Sequence, residues 1–302
     1  MKIGTRGSAL ALAQTEEVAR ALHNIFPDLS VEIFRIKTTG DKILDAPLSK
    51  IGTKSLFTKE IEDALLEGQI DLAVHSLKDL PTEIPEGLEI GAVLKRLDPR
   101  DCLVAEKRIS LKDLPKGARV GTSSLRRAAQ ILALRPDIHI ENLRGNLDTR
   151  LKKIAEGDFD AIVVAQAGLT RLNAQVTANS ISFEEMLPAV GQGFIAIEVR
   201  SNDLRTQEII QSLNDRQAQI EALCERAFLR ALEGGCQVPI GALARVEGSK
   251  IFLEGLISSL DGKITYRDKI EGAAKDCEQV GINLAKKLLS MGGEKVLEAI
   301  RH

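Results

Sequence analysis

Arginine stands beside glycine and hydroxyl-bearing residues in three stretches: Thr5-Arg6-Gly7-Ser8, Gly121-Thr122-Ser123-Ser124-Leu125-Arg126-Arg127, and Leu143-Arg144-Gly145-Asn146-Leu147-Asp148-Thr149-Arg150. Each joins guanidinium forks, which grip carboxylates and phosphates bidentately, to the unpaired backbone N–H groups of an expected helix start. Three such stretches point to a ligand carrying several anionic groups. Each also has a plainer reading. Arg126 and Arg127 read plainly as solvent-facing residues of a first helical turn, yet a cation there opposes the macrodipole, which invites a bound anion as the explanation. Arg144 and Arg150 lie beside Asp148, which is placed to neutralise either one.

Two further segments offer reactive groups. In Val74-His75-Ser76-Leu77-Lys78-Asp79-Leu80-Pro81, a lysine and an aspartate directly follow an apolar strand, at the carboxyl end where open α/β sheets bind ligands. A carboxylate there, in a site otherwise rich in arginine, is the group to stabilise a developing cation or handle a proton. The alternative is a solvated Lys-Asp turn, and His75 by itself reads as a structural residue. In Glu233-Gly234-Gly235-Cys236-Gln237-Val238-Pro239-Ile240-Gly241, two glycines after a helix free the backbone to present the Cys236 thiol for covalent attachment. There the alternative is a small residue after a helix stop. Cys102 falls in an apolar strand, and Cys224 and Cys277 fall in helices, so these three read as buried and inert.

The elements that must position these groups alternate between short strands and amphipathic helices, an α/β pattern. Ser8 caps an expected helix through Leu10, Leu12, Val18 and Leu22 that ends before Pro27. Val31 to Ile36 reads as a strand, Thr58 to Leu66 as a helix and Ile70 to Val74 as a buried strand. Lys37 to Ser55 has no clear period and reads as a loop covering the site. Past Leu97-Asp98-Pro99-Arg100-Asp101 a second α/β unit is expected. Its strands are Cys102 to Ala105, Arg119-Val120, Ile138 to Ile140 and Ala161 to Ala165, with helices at Leu125 to Leu134 and Leu147 to Ala155. Phe194 to Val199 reads as a strand returning to the first unit. The last third is expected to be α+β: a helix from Gln217 to Leu232, a hairpin of Val246 to Ile257 with Lys263 to Ile270, and a terminal helix from Cys277 to Ile300 broken at Gly292-Gly293. The expected domains are therefore 1–96 with 194–213, 97–193, and 214–302. No internal repeat of fixed period is visible.

Composition limits the partners. The formal net charge is only −2, aromatics are 3 % and tryptophan is absent, which argues against nucleic acid and for a small polyanion. Four cysteines without metal-ligand spacing read as reduced thiols, pointing to the cytoplasm and to no bound metal. Neither a signal segment nor a membrane span is expected.

Taken together these segments, with Pro188-Ala189-Val190-Gly191-Gln192-Gly193, resemble the porphobilinogen deaminase (hydroxymethylbilane synthase) family in content and in order. The resemblance runs from near residue 3 to about residue 245. It implies two domains like those of type II periplasmic binding proteins, with the active cleft between them, and a small α+β third domain. That third domain carries a dipyrromethane cofactor joined by a thioether to Cys236, which is then an anchor. It further implies stepwise condensation of four porphobilinogen molecules with loss of ammonia, then hydrolysis to linear hydroxymethylbilane, in tetrapyrrole and haem biosynthesis.

By the same resemblance Asp79 is the catalytic aspartate, which holds pyrrole N–H groups of cofactor and substrate and stabilises the cation left after deamination. Lys78, Ser124, Arg127 and Arg144 bind cofactor carboxylates, with Thr122, Ser76 and Gly145 as further cofactor positions. Arg6, Ser8, Arg126 and Arg150 meet the incoming substrate. The chain departs from the family pattern at Ala9 and at Thr53 to Phe57. A monomer acting on a small molecule, with neither nucleic acid nor membrane as partner, is expected. The competing reading is a non-catalytic binding protein for small polycarboxylate anions, which has no use for the loop thiol.

Overall fold

The computed structural model describes residues 1–42, 58–233 and 238–301. The expected covering loop, from position 43 onward, and Cys236 lie outside the described residues. The chain forms two compact units, Met1–Leu97 with Gly193–Gln219, and Asp98–Gln192 with Ile220–His302.

From the start the chain runs β1 (Lys2–Thr5), α1 (Ala9–Ile25), β2 (Glu32–Arg35), the single turn α2 (Thr39–Lys42), α3 (Lys59–Leu66), β3 (Leu72–Ser76), a 3-10 turn at Leu77–Asp79, and β4 (Leu88–Val93). It continues through β5 (Asp101–Ala105), β6 (Arg119–Gly121), α4 (Leu125–Leu134), β7 (His139–Glu141), α5 (Leu147–Ala155), β8 (Ala161–Ala165), α6 (Gln166–Arg171) and β9 (Ala178–Ser180). Next, β10 (Ile195–Arg200) and α7 (Leu204–Gln211) return to the first unit, and α8 (Arg216–Ala231) leads out of it. The chain ends with β11 (Ile240–Glu247), β12 (Lys250–Ser258), β13 (Thr265–Ala273), α9 (Cys277–Leu288) and α10 (Glu294–Arg301).

The first unit is built on a sheet of order β2-β1-β3-β10-β4. Strands β1 and β3 are parallel neighbours, registered Ile3 to Leu72 and Gly4 to Ala73, so their carboxyl ends open on the same edge. Strand β10 runs antiparallel between β3 and β4. Helix α1 starts because the Ser8 hydroxyl accepts from Ala11 N at 3.3 Å, and it buries Gln14, Thr15, Val18 and Leu22 on one face.

In the second unit the sheet order is β7-β6-β8-β5-β9, with β6, β7 and β8 parallel and β5 antiparallel to β8 and β9. This repeats the spatial order and strand directions of the first sheet, with β6, β7, β8, β5 and β9 in the places of β1, β2, β3, β10 and β4, although β5 precedes the other strands of its sheet in the chain and β10 follows those of its own. Each sheet has the strand arrangement of a type II periplasmic-binding-protein domain. The second unit also contains the meander β11-β12-β13, covered by α8 and α9 around Phe228, Leu253 and Leu284. A Cβ on Gly255 would lie 2.6 Å from the Phe228 ring, so the missing side chain is what lets that ring settle on β12.

Several expectations shift. The expected strand from Val246 to Ile257 is cut by a tight turn at Gly248, which has φ +61°, so the hairpin is a three-stranded meander. Strand β3 begins two residues later than expected, at Leu72. Strands β4 and β9 and helices α6 and α7 were not expected, and β9 is only three half-buried residues with no alternation to reveal it. Among the described residues no helix is long and apolar enough to cross a membrane.

Candidate active site

In the first unit the shared edge of β1 and β3 is a pocket lined by Arg6, Ser8, Leu10, Ala11, Gln14, Thr58, Val74, His75, Ser76 and Asp79. Its construction follows from the topology. Arg6 and Ser8 lie in the short link between β1 and α1, and Ser76, Lys78 and Asp79 follow from the end of β3. The turn that carries Asp79 is fixed through its backbone, with Leu77 N donating to Phe194 O and Leu80 N to Leu77 O, each at 3.2 Å. The Asp79 side chain is exposed and has no hydrogen bond or ion pair among the described residues. Ser76 is held to α1 by Gln14, whose Nε2 donates to Ser76 Oγ at 2.9 Å.

Behind the pocket the sheet buries charge. His75 Nε2 lies 3.0 Å from Glu198 Oε2 on β10, with both side chains enclosed. Glu62 on α3 is also buried, and burial, reinforced by the nearby Glu198, pushes its carboxyl above the usual carboxylate range.

The second unit places its loops by the same logic. Strands β6 and β7 are parallel neighbours, so the loops Thr122–Ser124 and Asn142–Asn146 leave one edge side by side. Ser124 caps α4 by accepting from Arg127 N at 3.4 Å, and Asn146 caps α5 by accepting from Thr149 N at 3.0 Å. The Thr122 hydroxyl accepts from Ser124 N at 3.2 Å, and Ser123 Oγ donates to Asn142 Oδ1 at 2.6 Å, tying the loops together. Arg150 Nε donates to Gly145 O at 2.8 Å. The half-buried Arg144 has no hydrogen bond or ion pair among the described residues. Asp148, offered above as a neutralising partner, forms no ion pair with either arginine among those residues.

The anion that Arg126 and Arg127 call for is supplied by the chain. Arg126 Nη1 donates to Asp101 Oδ2 at 2.7 Å and to Leu187 O at 2.6 Å. Arg127 donates to Asp101 Oδ1 from Nε at 3.0 Å and Nη2 at 2.7 Å, and to Val163 O from Nη1 at 3.0 Å. Gln192 Nε2 adds a third donor to Asp101 at 3.0 Å. Burial alone would raise the Asp101 carboxyl, but the two guanidiniums and these hydrogen bonds hold it well below the usual carboxylate range. Among the described residues Arg126 Nε has no hydrogen-bond partner.

Residues 1–208 match the family described as "Porphobilinogen deaminase, dipyromethane cofactor binding domain", and residues 219–290 match its C-terminal domain. The porphobilinogen deaminase of Syntrophobacter fumaroxidans is 50 % identical over 301 residues, covering 99 % of this chain and 97 % of the relative. That of Pelotomaculum thermopropionicum is 51 % identical over 300 residues, covering 99 % and 96 %. The chain belongs to the porphobilinogen deaminase family. Among solved structures, the periplasmic aliphatic sulphonate binding protein SsuA from Escherichia coli is 16 % identical with a TM-score of 0.41, covering 77 % of this chain and 70 % of that one. The fold assignment rests on strand order and not on that overlap.

The positions marked by the porphobilinogen deaminase resemblance thus fall at two strand edges, one in each unit. Arg6, Ser8, Ser76, Lys78 and Asp79 gather at the first. Thr122, Ser124, Arg126, Arg127, Arg144, Gly145 and Arg150 gather along β6, β7 and the helices they feed. Gln192 falls in a segment that carries the family resemblance, whereas no local signal marks Asp101 or Glu198; all three brace these edges from far along the chain. Gly145 has φ +104°, and a Cβ there would lie 2.8 Å from Thr149 Cβ. Gly145→Ala is therefore expected to cost about 1–3 kcal/mol of stability, read from the denaturant midpoint of the second unit. An unchanged midpoint would show that the loop relaxes freely.

Proposed function

We infer that this chain condenses four porphobilinogen molecules head to tail, releasing ammonia at each addition, and that water then frees linear hydroxymethylbilane. This is the hydroxymethylbilane synthase reaction of tetrapyrrole biosynthesis. The observation that carries it is the relation to porphobilinogen deaminases over nearly the whole chain, at 50 % identity. The pocket chemistry supports it. Porphobilinogen carries acetate, propionate and an aminomethyl group, and the pocket sets one uncommitted carboxylate, Asp79, among Arg6, Ser8 and the start of α1.

A dipyrromethane cofactor suits the residues present: Arg144 has no internal partner among the described residues, and the loop that bears it lies between two helix starts. When bound, the cofactor supplies the pyrrole to which the first substrate unit is joined. Its acidic arms are assigned to Lys78, Ser124, Arg127 and Arg144, with Thr122, Ser76 and Gly145 shaping the approach. Cys236 is assigned as the tether. Incoming substrate is assigned to Arg6, Ser8, Arg126 and Arg150. Arg126 and Arg127 meet a ligand only with the N–H groups that Asp101 and the backbone leave, so Asp101 sets their aim. Asp79 holds pyrrole N–H and stabilises the positive ring left when ammonia departs. The enzyme acts in this reading as a cytoplasmic monomer.

Intact-protein mass spectrometry tests the tether. The wild-type protein is expected to weigh more than its sequence by two linked pyrrole units and to grow by single units on adding porphobilinogen, and Cys236→Ser to lack the addition. An unmodified yet fully active chain would refute the anchoring. Anion binding with no ammonia released would favour the non-catalytic alternative.

A further inference from the structure

The pocket has an ionisable group that the assigned roles leave unused. His75 lines it from β3, 6 % exposed, and its Nε2 is committed to Glu198 Oε2 at 3.0 Å. Its Nδ1 has no partner among the described residues. Glu198 is fully enclosed, and among the described residues its second oxygen, Oε1, makes no hydrogen bond; nor does Oε1 of the buried Glu62. A buried carboxylate with an idle oxygen is costly unless it answers a nearby positive charge. The His75 ring, 3.0 Å away, is the group placed to carry that charge. The arrangement is the orienting one: a carboxylate fixes one ring nitrogen and leaves the other uncommitted among the described residues, in a ring that lines the pocket.

The reaction gives such a group work. The aminomethyl group reacts as its ammonium form: the C–N bond breaks with its electron pair on nitrogen, neutral ammonia leaves, and that ammonia then takes up a proton to become ammonium. When the new C–C bond forms, the C–H bond at the attacked ring carbon breaks, its electron pair returns to the ring, and its proton is released. One proton is consumed and one produced at each addition, so a single group that gives and then regains a proton serves every cycle.

We propose that His75 is the proton carrier of this pocket: its imidazolium protonates the departing ammonia from Nδ1, and its neutral ring takes back the proton that C–C bond formation releases. Glu198 steadies the charged form through Nε2. The groups facing His75 divide by sign. Glu198 on β10, Glu62 on α3 and the pocket-lining Asp79 are acidic. Arg6, on the β1–α1 link, is basic. Protonating ammonia at once also prevents its return to the cationic ring.

This rests on the proposed function, so ammonia release is measured on the wild-type holoenzyme first, and its absence would sink both readings. With release established, His75→Gln is expected to lower kcat by about 10²-fold or more, with KM for porphobilinogen and the mass of the attached group unchanged. The wild-type pH–rate profile is expected to carry a limb within the range of about pH 5 to 8 in which imidazoles titrate, and the variant to lack it. Glu198→Gln, which removes the charge that favours imidazolium, should move that limb toward acid. Wild-type kcat and profile in folded His75→Gln would overturn the proposal and leave the proposed function standing. Should both variants fail to fold, NMR titration of the wild-type histidine rings decides: a His75 ring that keeps one protonation state across that pH range overturns it.

Discussion

Asp79→Asn is expected to cut ammonia release from porphobilinogen by about 10²–10³-fold, the scale on which an aimed electrostatic group acts at a reacting centre. The argument comes from what the carboxylate is not doing. Its turn is pinned by backbone hydrogen bonds to Phe194 O and Leu77 O, so its position owes nothing to its side chain. That side chain is exposed and has no partner among the described residues, although Arg6 lines the same pocket. A charge left uncommitted among cations is available to a positive substrate ring. Bound substrate would displace the surrounding water and strengthen that interaction. Asparagine keeps the size and one acceptor oxygen for a pyrrole N–H and loses only the charge. Substrate affinity and the mass of the attached group should therefore persist while kcat falls. Near-normal turnover in this variant would remove Asp79 from its role.

Much of the scaffold was legible because its signals are local. Ser8, Ser124 and Asn146 stand where helix starts were expected, and each side chain accepts from a backbone N–H three residues on. Helices α4 and α5 have the ends read from the sequence, since an N-cap and an apolar period define both. Strands β4 and β9 were not legible. Gly91 interrupts β4, where a Cβ would meet the Ile210 side chain at 2.6 Å, so its packing partner and not its own pattern makes it a strand. The shared strand order of the two five-stranded sheets was also hidden, because strand order is a property of pairing and leaves no period in the sequence.

The site divides in the same way. Arginines beside glycines and hydroxyls are a local pattern, and both strand edges carry them as expected. The groups that brace those arginines are far away in sequence: Asp101 is 25 positions from Arg126 and 91 from Gln192, and His75 is 123 from Glu198. Nothing near Asp101 marks it, since an acid opening an apolar strand after a turn-rich stretch reads as a surface residue. The solvent-facing reading of Arg126 and Arg127 is corrected by their burial, and the bound anion invoked to explain them is replaced by an internal one, Asp101, which only the fold shows.

Asp101→Asn should therefore destabilise the second unit severely, by about 3–5 kcal/mol, the usual cost of removing one partner from a buried ion cluster. Asp101 is fully enclosed and Arg126 and Arg127 are 5 % and 6 % exposed, so neither guanidinium gains solvent when the charge is lost. Asparagine still accepts from one or two of the donors, but two buried cations are left without their counter-charge. The pH dependence has a defined sign. The carboxyl is held below its usual value in the folded protein, so its contribution is fully present above the unfolded value of about 3.9 and is lost as pH falls toward the folded value. Wild-type stability should thus decline as pH drops below about 4, and Asp101→Asn should lack that component of the decline. Denaturant titration at neutral and acid pH, followed by a probe in the second unit, measures both. A loss under about 1 kcal/mol at neutral pH would mean that the arginines reach solvent or another anion, and the cluster would then not fix their aim.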